Sequence, residues 1–466
     1  MKHGEIQDQL SRTNLWWRDP RGWTRGDADL RRAEQAPYHY APGTLADLEP
    51  GALYVLRGPR RVGKSVAVKQ AIRDLVAGGT DPRLIVYASV DGWRADDLGR
   101  LVDAAGRLTA PEGRRCWFID EITSVRNGWP HRVKWLRDND TRFSTDTVIL
   151  TGSSASDLTE AVGILAGRRA GRGSSDRVLL PMGFRSFAGL TAREPLPSQI
   201  GSLRIADLNP NFLAESTYEL APWLNLLVSA WDDYLRVGGF PQAVTAHLTI
   251  RDSDPDLQQS LLEVVEHDIF DRGDWSRPQT FALLRRLSRN LGSQTNRSAA
   301  SEDTDTSAEQ VRRRLVDLQE AFALWPCHRE QDLRPKLRAQ SKLYFSDPIY
   351  TQLAPGAEPD ATVLSEQQLG LALLRNLEAV TPGGHLGFDR VLHHRSRTGS
   401  EIDFVGRDFG EAAIESKYMD GRWFGSAKTL RASRWQGIIA TRSELNLDHP
   451  DVTAVPTSML AWLLDT

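Results

Sequence analysis

A glycine-rich stretch that ends in a lysine and a hydroxyl residue is the clearest chemical signal in the sequence. Residues 58–65, GPRRVGKS, fill every fixed position of the phosphate-loop pattern G-x-x-x-x-G-K-[ST]. Glycines let the backbone curl so that its N–H groups face one concavity, and a following helix adds its positive N-terminal end. The residues predicted to cradle nucleotide phosphates are Gly58, Pro59, Arg60, Arg61, Val62, Gly63, Lys64, Ser65 and Val66.

Two carboxylates follow an apolar run about 55 residues further on, a spacing at which the pair becomes a specific signal. Cys116–Ile119 is apolar, and Asp120 and Glu121 come directly after it. Beside a phosphate loop, Asp120 and the Ser65 hydroxyl are predicted to hold Mg²⁺, while Lys64 contacts the β- and γ-phosphates. Glu121 is predicted to be the general base that polarises the attacking water.

A third strand candidate ends in small hydroxyl residues and is followed by arginines. After Val148–Leu150 come Thr151, Gly152, Ser153 and Ser154, and Ser153 is the preferred candidate for sensing the γ-phosphate, with Thr151 and Ser154 as alternatives. An arginine near the γ-phosphate neutralises charge in the transition state. Arg168 and Arg172 are the candidates for this role, supplied in cis or by a neighbouring subunit, although any one arginine can also be a solvated surface residue.

A second set of acids lies near the end of the chain. Asp403, Glu415 and Lys417 form the pattern D-x(11)-E-x-K across two strand candidates, and Glu366 lies on a predicted helix upstream. Acids on adjacent strands can share one Mg²⁺, and a lysine two residues on lies on the same strand face. Glu366, Asp403 and Glu415 are therefore the predicted metal ligands, with Lys417 as the catalytic cation.

Two simpler interpretations of this second set stay open. The pattern is weaker than the phosphate loop, and an edge strand with a charged outer face would also produce it. A fold of the same type can also lack cleavage activity altogether. His393 and His394 precede the first of these strands and are interpreted as surface or near-site residues rather than metal ligands.

The elements that must position these residues alternate between short apolar runs and helical patterns. Strands are predicted at 53–56, 84–90, 116–119 and 147–150, and the helix after the phosphate loop ends at Gly78-Gly79. This alternation is typical of a parallel α/β sheet built of βαβ units.

The remainder of the chain is first helical and then mixed. Two helical stripes run from 281 to 291 and from 311 to 322, and Ser307 with Gln310 predicts a capping box for the second. The polar stretch between them, 293–306, is predicted to be a loop. A helix over about 365–377 and strands at 401–405 and 412–416 are expected after that.

Composition excludes several classes of protein. The chain of 466 residues carries 58 basic and 61 acidic residues, a net charge of −3, so only a local patch could hold it on nucleic acid or a membrane. Two cysteines cannot make a disulfide framework or a four-cysteine zinc site. Without a signal-like start or a long apolar run, the chain is expected to be cytoplasmic. Lysine is scarce among the basic residues, and Lys64 and Lys417 are two of the eight.

Together these segments resemble the prokaryotic AAA-type P-loop ATPases that end in domain of unknown function 4143. Asn14–Trp17 is similar to the Asn-Pro-Trp-Trp start of one subgroup, with leucine in place of proline. The other stretches that carry the resemblance are Leu56–Lys64, Asp120–Trp129, Lys134–Asp138, Thr151–Ser154, Gly167–Arg169, Leu180–Phe184, Tyr234–Pro241 and Lys342–Asp347.

The resemblance implies an ATPase with ATP and Mg²⁺ as cofactors, and a specific order of domains. The expected order is an N-terminal arm (1–45), a P-loop core (46–200), a helical lid (201–250), a winged-helix region (251–340) and a restriction-endonuclease-like α/β domain (341–466). Two functions are compatible with it. One couples nucleotide state to a nuclease-like domain that acts on nucleic acid, and the other is a nucleotide-controlled switch or scaffold that binds a partner without cleavage. Expected partners are nucleic acid and further copies of the chain, without a membrane.

Overall fold

Short apolar strands, each followed by helix or turn, build the first of two units, Met1–Leu179 and Leu180–Thr466, in this computed structural model. The structure describes residues 1–126, 128–152, 161, 163–168, 176–208, 210–249, 255–270, 275–294, 296–357, 359–380, 389–396, 398–421, 423–449 and 452–465, with residues 210–212, 268, 378–380 and 426 described by backbone alone.

The first unit contains a parallel five-stranded sheet. Its strands are β1 (Leu53–Arg57), β2 (Ile85–Ser89), β3 (Cys116–Asp120), β4 (Thr147–Thr151) and β5 (Asp176–Val178), in the order β2-β3-β4-β1-β5. The connecting helices are Lys64–Ala77, Ala95–Leu108 and Trp129–Asn139. The four predicted strands and the parallel α/β class are therefore confirmed. Because every strand runs the same way, all carboxyl ends meet at one edge, where ligands bind in such sheets.

The pairing register brings the predicted chemical residues to that edge. Asp120 is opposite Ser89 on one neighbouring strand, and Ile119 is opposite Leu150 on the other. Thr151, which ends β4, pairs with Leu56 near the end of β1. The phosphate loop, the acid pair and the hydroxyl segment lie at the carboxyl ends of β1, β3 and β4. Because these strands are neighbours in the sheet, the three segments lie side by side.

The N-terminal residues complete the outer edge of this sheet. The arm has helices His3–Thr13 and Ala28–Glu34, and Ile6 and Leu10 are buried in the core of the unit. The Asn14 side chain accepts from the Tyr87 N–H at 2.7 Å and donates to the Tyr87 carbonyl at 2.9 Å. Three more side chains donate to carbonyls of β2, and they are Gln9, Trp16 and Trp17. Side chains thus take the place of a sixth strand beside β2.

The substitution Asn14→Ala should cost about 2 kcal/mol of unfolding free energy, since it leaves a buried N–H and a buried carbonyl of Tyr87 without partners. Urea unfolding followed by tryptophan fluorescence measures this loss. As a control, Ser11→Ala changes a half-exposed residue of the same N-terminal helix and should change the midpoint little. Equal midpoints for Asn14→Ala and wild type would show that the edge contact does not stabilise the fold.

The second unit begins with helices. They are Phe184–Thr191, Pro210–Leu220, Leu224–Val237, Pro241–Thr249 and Pro255–Glu263, the last continuing as a π-helical stretch, Val264–Ile269. Arg277–Arg289, Arg297–Thr304 and Ala308–Glu320 follow, and then β6 (Leu324–Cys327) pairs antiparallel with β9 (Lys342–Phe345), while β7 (Glu330–Gln331) pairs with β8 (Arg334–Pro335). Short 3₁₀ turns elsewhere in the chain are Leu15–Trp17, Trp23–Arg25, Gly43–Leu45, Pro82–Leu84, Ile122–Ser124, Ile205–Asp207, Ala221–Trp223 and Pro348–Gln352.

The predicted loop at 293–306 is wrong over most of its length. It contains the helix Arg297–Thr304, which begins because the Asn296 side chain accepts from the backbone N–H groups of Ser298 and Ala299. The sequence of this short helix shows no apolar stripe, because its only buried side chains are Ala300 and Thr304. The capping box of Ser307 and Gln310 is confirmed at the start of the next helix.

A mixed five-stranded sheet forms the C-terminal part of the second unit. The helix Ala361–Val380 precedes β10 (Leu392–Arg395), β11 (Glu401–Val405), β12 (Ala412–Ser416), β13 (Gln436–Thr441) and β14 (Val452–Pro456), which are adjacent in chain order. β10, β11 and β12 pair antiparallel, whereas β12, β13 and β14 pair parallel. The helices Phe424–Arg431 and Thr457–Leu464 complete the unit. Both predicted strands, 401–405 and 412–416, are confirmed.

Among the helices in the described part of the chain, none combines the length and the hydropathy needed to cross a membrane.

Candidate functional site

The loop between β1 and the helix Lys64–Ala77 has the backbone that the glycine spacing predicts. Gly58 has φ +147° and Gly63 has φ +99°, and Arg61 between them is also left-handed at φ +68°. A Cβ atom at position 58 would lie 2.1 Å from the carbonyl oxygen of Leu179, so only glycine fits beside that neighbouring segment. The loop is therefore wound tightly around the start of the helix.

Lys64 lies inside this loop. Its ammonium donates to the carbonyl oxygens of Gly58 and Pro59, each at 2.9 Å. Burial lowers the pKa of Lys64 to about 8, and the nearby carboxylates of Glu121 and Asp120 oppose that shift. The lysine is thus held on its own loop by groups that an incoming phosphate, with its stronger negative charge, can replace.

Asp120 is the centre of a hydroxyl cluster at the carboxyl edge of the sheet. Its Oδ2 accepts from Ser65 Oγ at 2.9 Å and from the Tyr87 hydroxyl at 3.0 Å, and its Oδ1 accepts from Thr151 Oγ1. Burial and the charge of Asp120 raise the pKa of Tyr87, so its hydroxyl remains a donor. Four elements therefore meet at one buried carboxylate.

The pairing of Ser65 with Asp120 is a test of whether Mg²⁺ fits here. A hydroxyl oxygen and a carboxylate oxygen lie 2.9 Å apart next to the phosphate loop, and oxygen donors are what Mg²⁺ prefers. Mg²⁺ is usually held by one or two such protein groups together with waters and substrate phosphates. The residues present fit a nucleotide-bound Mg²⁺.

Glu121 follows Asp120 in a conformation that few residues other than glycine adopt. Its φ is +57° and its backbone N–H donates to Asp120 Oδ1 at 3.2 Å. Strained backbone of this kind costs free energy and persists where the surroundings enforce it, often at functional sites. Glu121 is half-buried directly after Asp120, and its charge raises the pKa of Lys64 against the effect of burial. Its role as general base stays a prediction.

The other predicted residues of this region have different outcomes. Ser153, Ser154 and Arg172 lie outside the described residues, whereas the alternative Thr151 reaches Asp120 directly. Arg168 forms a two-point ion pair with Asp138 at 3.0 and 3.2 Å. Arg168 is therefore occupied by Asp138 in this arrangement, and its role as an arginine finger stays a prediction.

Sequence reasoning missed Tyr87. It lies on β2, two residues before the strand ends, so its side chain faces the same side of the sheet as Ser89, the partner of Asp120. The signal available was a tyrosine in a strand of otherwise small and aliphatic residues, but the pairing of β2 with β3 is needed to place its hydroxyl on Asp120.

Comparison with known proteins agrees with this geometry. Residues 51–188 match the family model of the AAA domain. The AAA domain thus covers the phosphate loop, the acid pair and all five strands of the parallel sheet. Residues 228–352 match the model of a domain of unknown function, DUF8612. That second match lies mostly before residue 341, so the assignment of 341–466 to domain 4143 stays a prediction.

Solved structures similar to this chain share little sequence identity with it. A Walker-type ATPase of Pyrococcus abyssi is 15% identical, over 74% of this chain and 95% of that one, with a TM-score of 0.35. A RuvB mutant of Thermotoga maritima is 13% identical over 70% and 89%, with a TM-score of 0.26. Cdc6p from Pyrobaculum aerophilum is 12% identical over 78% and 97%, with a TM-score of 0.22. Scores this low do not decide fold or function, and no curated protein matches the chain.

Outside the region that matches the AAA domain, the acids predicted near the end of the chain lie close together. The antiparallel register of Phe404 with Ile414 puts Asp403 directly opposite Glu415 on one face of the sheet. Lys417 Nζ lies 2.9 Å from Glu415 Oε1, while the buried Glu415 Oε2 has no hydrogen-bond partner among the residues that the structure describes. Burial and the charge of Asp403 raise the pKa of Glu415 to about 8.

A lysine that the sequence did not single out lies among these acids. Lys342 Nζ is 2.7 Å from Asp403 Oδ1 and 3.2 Å from Glu366 Oε1, and Glu366 also accepts from the Tyr344 hydroxyl. Burial alone would lower the pKa of Lys342, but the charges of Asp403 and Glu366 outweigh it and raise the pKa well above its ordinary value. The sequence signals for Lys342 were that lysine is rare in this chain and that Lys342–Asp347 is one of the stretches that carry the family resemblance, and neither assigns it a partner.

This arrangement does not fit a divalent ion bridging Asp403 and Glu366, because the Lys342 ammonium already contacts both. Within the described ranges, no group of three or more His, Cys, Asp or Glu side chains is placed to hold a metal ion. Glu366, Asp403 and Glu415 are thus brought together, but with lysines as their partners. Their role as metal ligands stays a prediction.

The two histidines before β11 have partners of their own. His393, interpreted from the sequence as a surface or near-site residue, is fully buried, and its Nδ1 lies 3.1 Å from the Cys327 carbonyl. Burial lowers the pKa of His393 to about 4. His394 pairs with Glu330 at 2.7 Å. Neither contact involves Asp403 or Glu415, and the interpretation that the histidines are not metal ligands stays a prediction.

Proposed function

We propose that the chain binds ATP with Mg²⁺ at the loop 58–66 and hydrolyses it. The observation that carries this proposal is the contact of Ser65 with Asp120 at 2.9 Å, directly beside the buried ammonium of Lys64. An oxygen pair for Mg²⁺ and a cation for phosphate are thereby next to each other in the AAA domain. This combination is typical of sites for nucleoside triphosphates, in which the metal and the lysine both contact the β- and γ-phosphates.

Each residue has a defined part in the proposed reaction. Lys64 exchanges its two carbonyl partners for phosphate oxygens, and Ser65 and Asp120 would be the residues that hold Mg²⁺. When bound, Mg²⁺ neutralises the charge that develops on the phosphates. Glu121 accepts the proton of the attacking water. Thr151 and Tyr87 hold Asp120 in place through its two oxygens.

Phosphate release from ATP tests this proposal most directly. Wild type should release phosphate in the presence of Mg²⁺, whereas Lys64→Ala should lose ATP affinity at least about tenfold, because a charged contact to the phosphates is removed. Lys428→Ala, at an exposed lysine of the other unit, is the matched control and should behave as wild type. Equal phosphate release by wild type and Lys64→Ala would contradict the proposal.

We propose further that nucleotide state controls the second unit and that the active form contains several copies of the chain. In such an assembly an arginine of a neighbouring copy, with Arg168 as the candidate, neutralises charge at the γ-phosphate once it leaves Asp138. The three helices over 277–320 followed by the β6–β9 pair support the winged-helix interpretation of this region.

For the last domain, nucleic-acid cleavage and partner binding remain the two proposals. The opposition of Asp403 and Glu415, with Lys417 beside the latter, supports a nuclease-like site. The contact of Lys342 with Asp403 and Glu366 supports a domain that binds a partner without cleaving it. We favour partner binding, since the ammonium of Lys342 already occupies the position between Asp403 and Glu366 where a metal ion would bind.

A nicking assay separates these two proposals. Supercoiled DNA, linear DNA and RNA are incubated with the protein, ATP and either Mg²⁺ or Mn²⁺. We expect no cleavage above background from wild type or from Asp403→Ala. Cleavage by wild type that disappears in Asp403→Ala would instead establish the nuclease-like site.

A further inference from the structure

The acidic cluster of the second unit, defined here as Glu366, Glu401, Asp403 and Glu415, surrounds a single buried ammonium. Lys342 is 2% exposed, and its Nζ lies 2.7 Å from Asp403, 3.2 Å from Glu366 and 3.8 Å from Glu401. An ammonium has three N–H donors and no acceptor. Three of the four acids are therefore within ion-pair distance of this one cation.

The carboxylate oxygens nearest to Lys342 are already engaged. Asp403 Oδ1 accepts from Lys342, and Asp403 Oδ2 accepts from the Ser416 N–H at 2.9 Å. Glu366 Oε1 accepts from Lys342 and from the Tyr344 hydroxyl. A divalent ion could bind between Asp403 and Glu366 only by displacing a lysine that the surrounding protein buries.

Lys342 also joins separate elements of the unit. It starts β9, whereas Glu366 lies on the helix Ala361–Val380 and Asp403 on β11. Structural metal ions connect distant segments in the same way, by binding oxygens from several elements at once. A buried ammonium within three ion pairs can fill that position without any ion from solution.

We propose that Lys342 is the resident cation of the acidic cluster and takes the place of a divalent metal ion between Asp403 and Glu366. The last domain then keeps its fold without a metal, and Asp403 is a partner of lysine rather than a metal ligand. Removing the Lys342 charge leaves Glu366, Glu401 and Asp403 without the cation that they share, and this should create a metal site. The proposal is independent of ATP hydrolysis, which belongs to the other unit.

Mn²⁺ binding to the full-length, nucleotide-free chain tests this proposal by calorimetry and thermal unfolding. Wild type should show no binding that depends on Asp403, so wild type and Asp403→Asn should give the same titration. Lys342→Ala should unfold at a lower temperature than wild type, regain stability in Mn²⁺, and bind Mn²⁺ at least about tenfold more tightly because a competing positive charge is gone. Lys336→Ala, at an exposed lysine nearby in sequence, should match wild type.

The double variant Lys342→Met with Asp403→Asn covers the case in which Lys342→Ala does not fold. It removes the cation and one acid together, and it should fold without Mn²⁺ and bind none. Mn²⁺ binding by wild type that is lost in Asp403→Asn would overturn the proposal. A folded Lys342→Ala chain that does not respond to Mn²⁺, or a double variant that needs Mn²⁺ to fold, would overturn it as well.

Discussion

The Glu121→Gln chain is expected to bind ATP about as well as wild type and to hydrolyse it roughly 100-fold or more slowly, the loss typical for removal of a general base. Glutamine keeps the size of the side chain but cannot accept a proton from water. The left-handed backbone of Glu121 places this side chain directly after Asp120, at the carboxyl edge of the sheet. Binding should survive because Lys64 and Ser65 are unchanged.

The measurement combines phosphate release with binding of a fluorescent ATP analogue. Glu112→Gln makes the same chemical change at an exposed position before β3 and should leave both quantities unchanged. Phosphate release by Glu121→Gln at the wild-type rate would mean that another residue activates the water. Loss of binding together with hydrolysis would mean that Glu121 supports the loop rather than the reaction.

The substitution Asp146→Ala is expected to destabilise the first unit by about 3–5 kcal/mol, as is usual when one partner of a buried ion pair is removed. Asp146 Oδ2 accepts from Arg115 Nε at 2.7 Å and from Trp117 Nε1 at 2.8 Å, and Asp146 Oδ1 accepts from the Arg115 N–H at 2.9 Å. Arg115 is only 2% exposed, so the substitution leaves its charge buried without the carboxylate.

Urea unfolding followed by circular dichroism measures this effect. Asp103→Ala, at an exposed aspartate on the helix Ala95–Leu108, should stay within about 0.5 kcal/mol of wild type. If Asp146→Ala unfolds at the wild-type urea concentration, the network does not stabilise the sheet. Asp146→Asn should lose less than Asp146→Ala, because an amide oxygen in the position of Oδ2 can still accept the hydrogen bonds of Arg115 Nε and Trp117 Nε1.

The region that matches the AAA domain could be predicted from local patterns, because its candidate site residues lie in continuous stretches. The loop 58–65 contains its own glycines, lysine and serine, and Asp120 follows its own apolar strand. Strands buried on both faces appear as apolar runs, so the four strand positions could also be predicted. The carboxyl edge then follows, because parallel strands end on the same side.

The contacts that could not be predicted join residues far apart in the chain. The Lys342–Asp403 contact spans 61 positions, and the Tyr87–Asp120 contact spans 33. Each depends on which strands become neighbours, and periodicity carries no information about that. The short helix Arg297–Thr304 was missed for a different reason, since its start depends on one asparagine cap rather than on an apolar stripe.

The N-terminal arm covers the outer edge of β2 and thereby determines how the sheet ends. An uncovered edge strand can recruit a strand from another chain, which is a common start of aggregation. Here the edge is covered by the amide of Asn14 and by Gln9, Trp16 and Trp17. These side chains form hydrogen bonds with backbone groups of β2. An added strand would in turn expose its own backbone donors and acceptors, whereas the side chains expose no such row. The arm therefore terminates the sheet, and a chain shortened to begin at residue 46 would present β2 as a template for its own polymerisation.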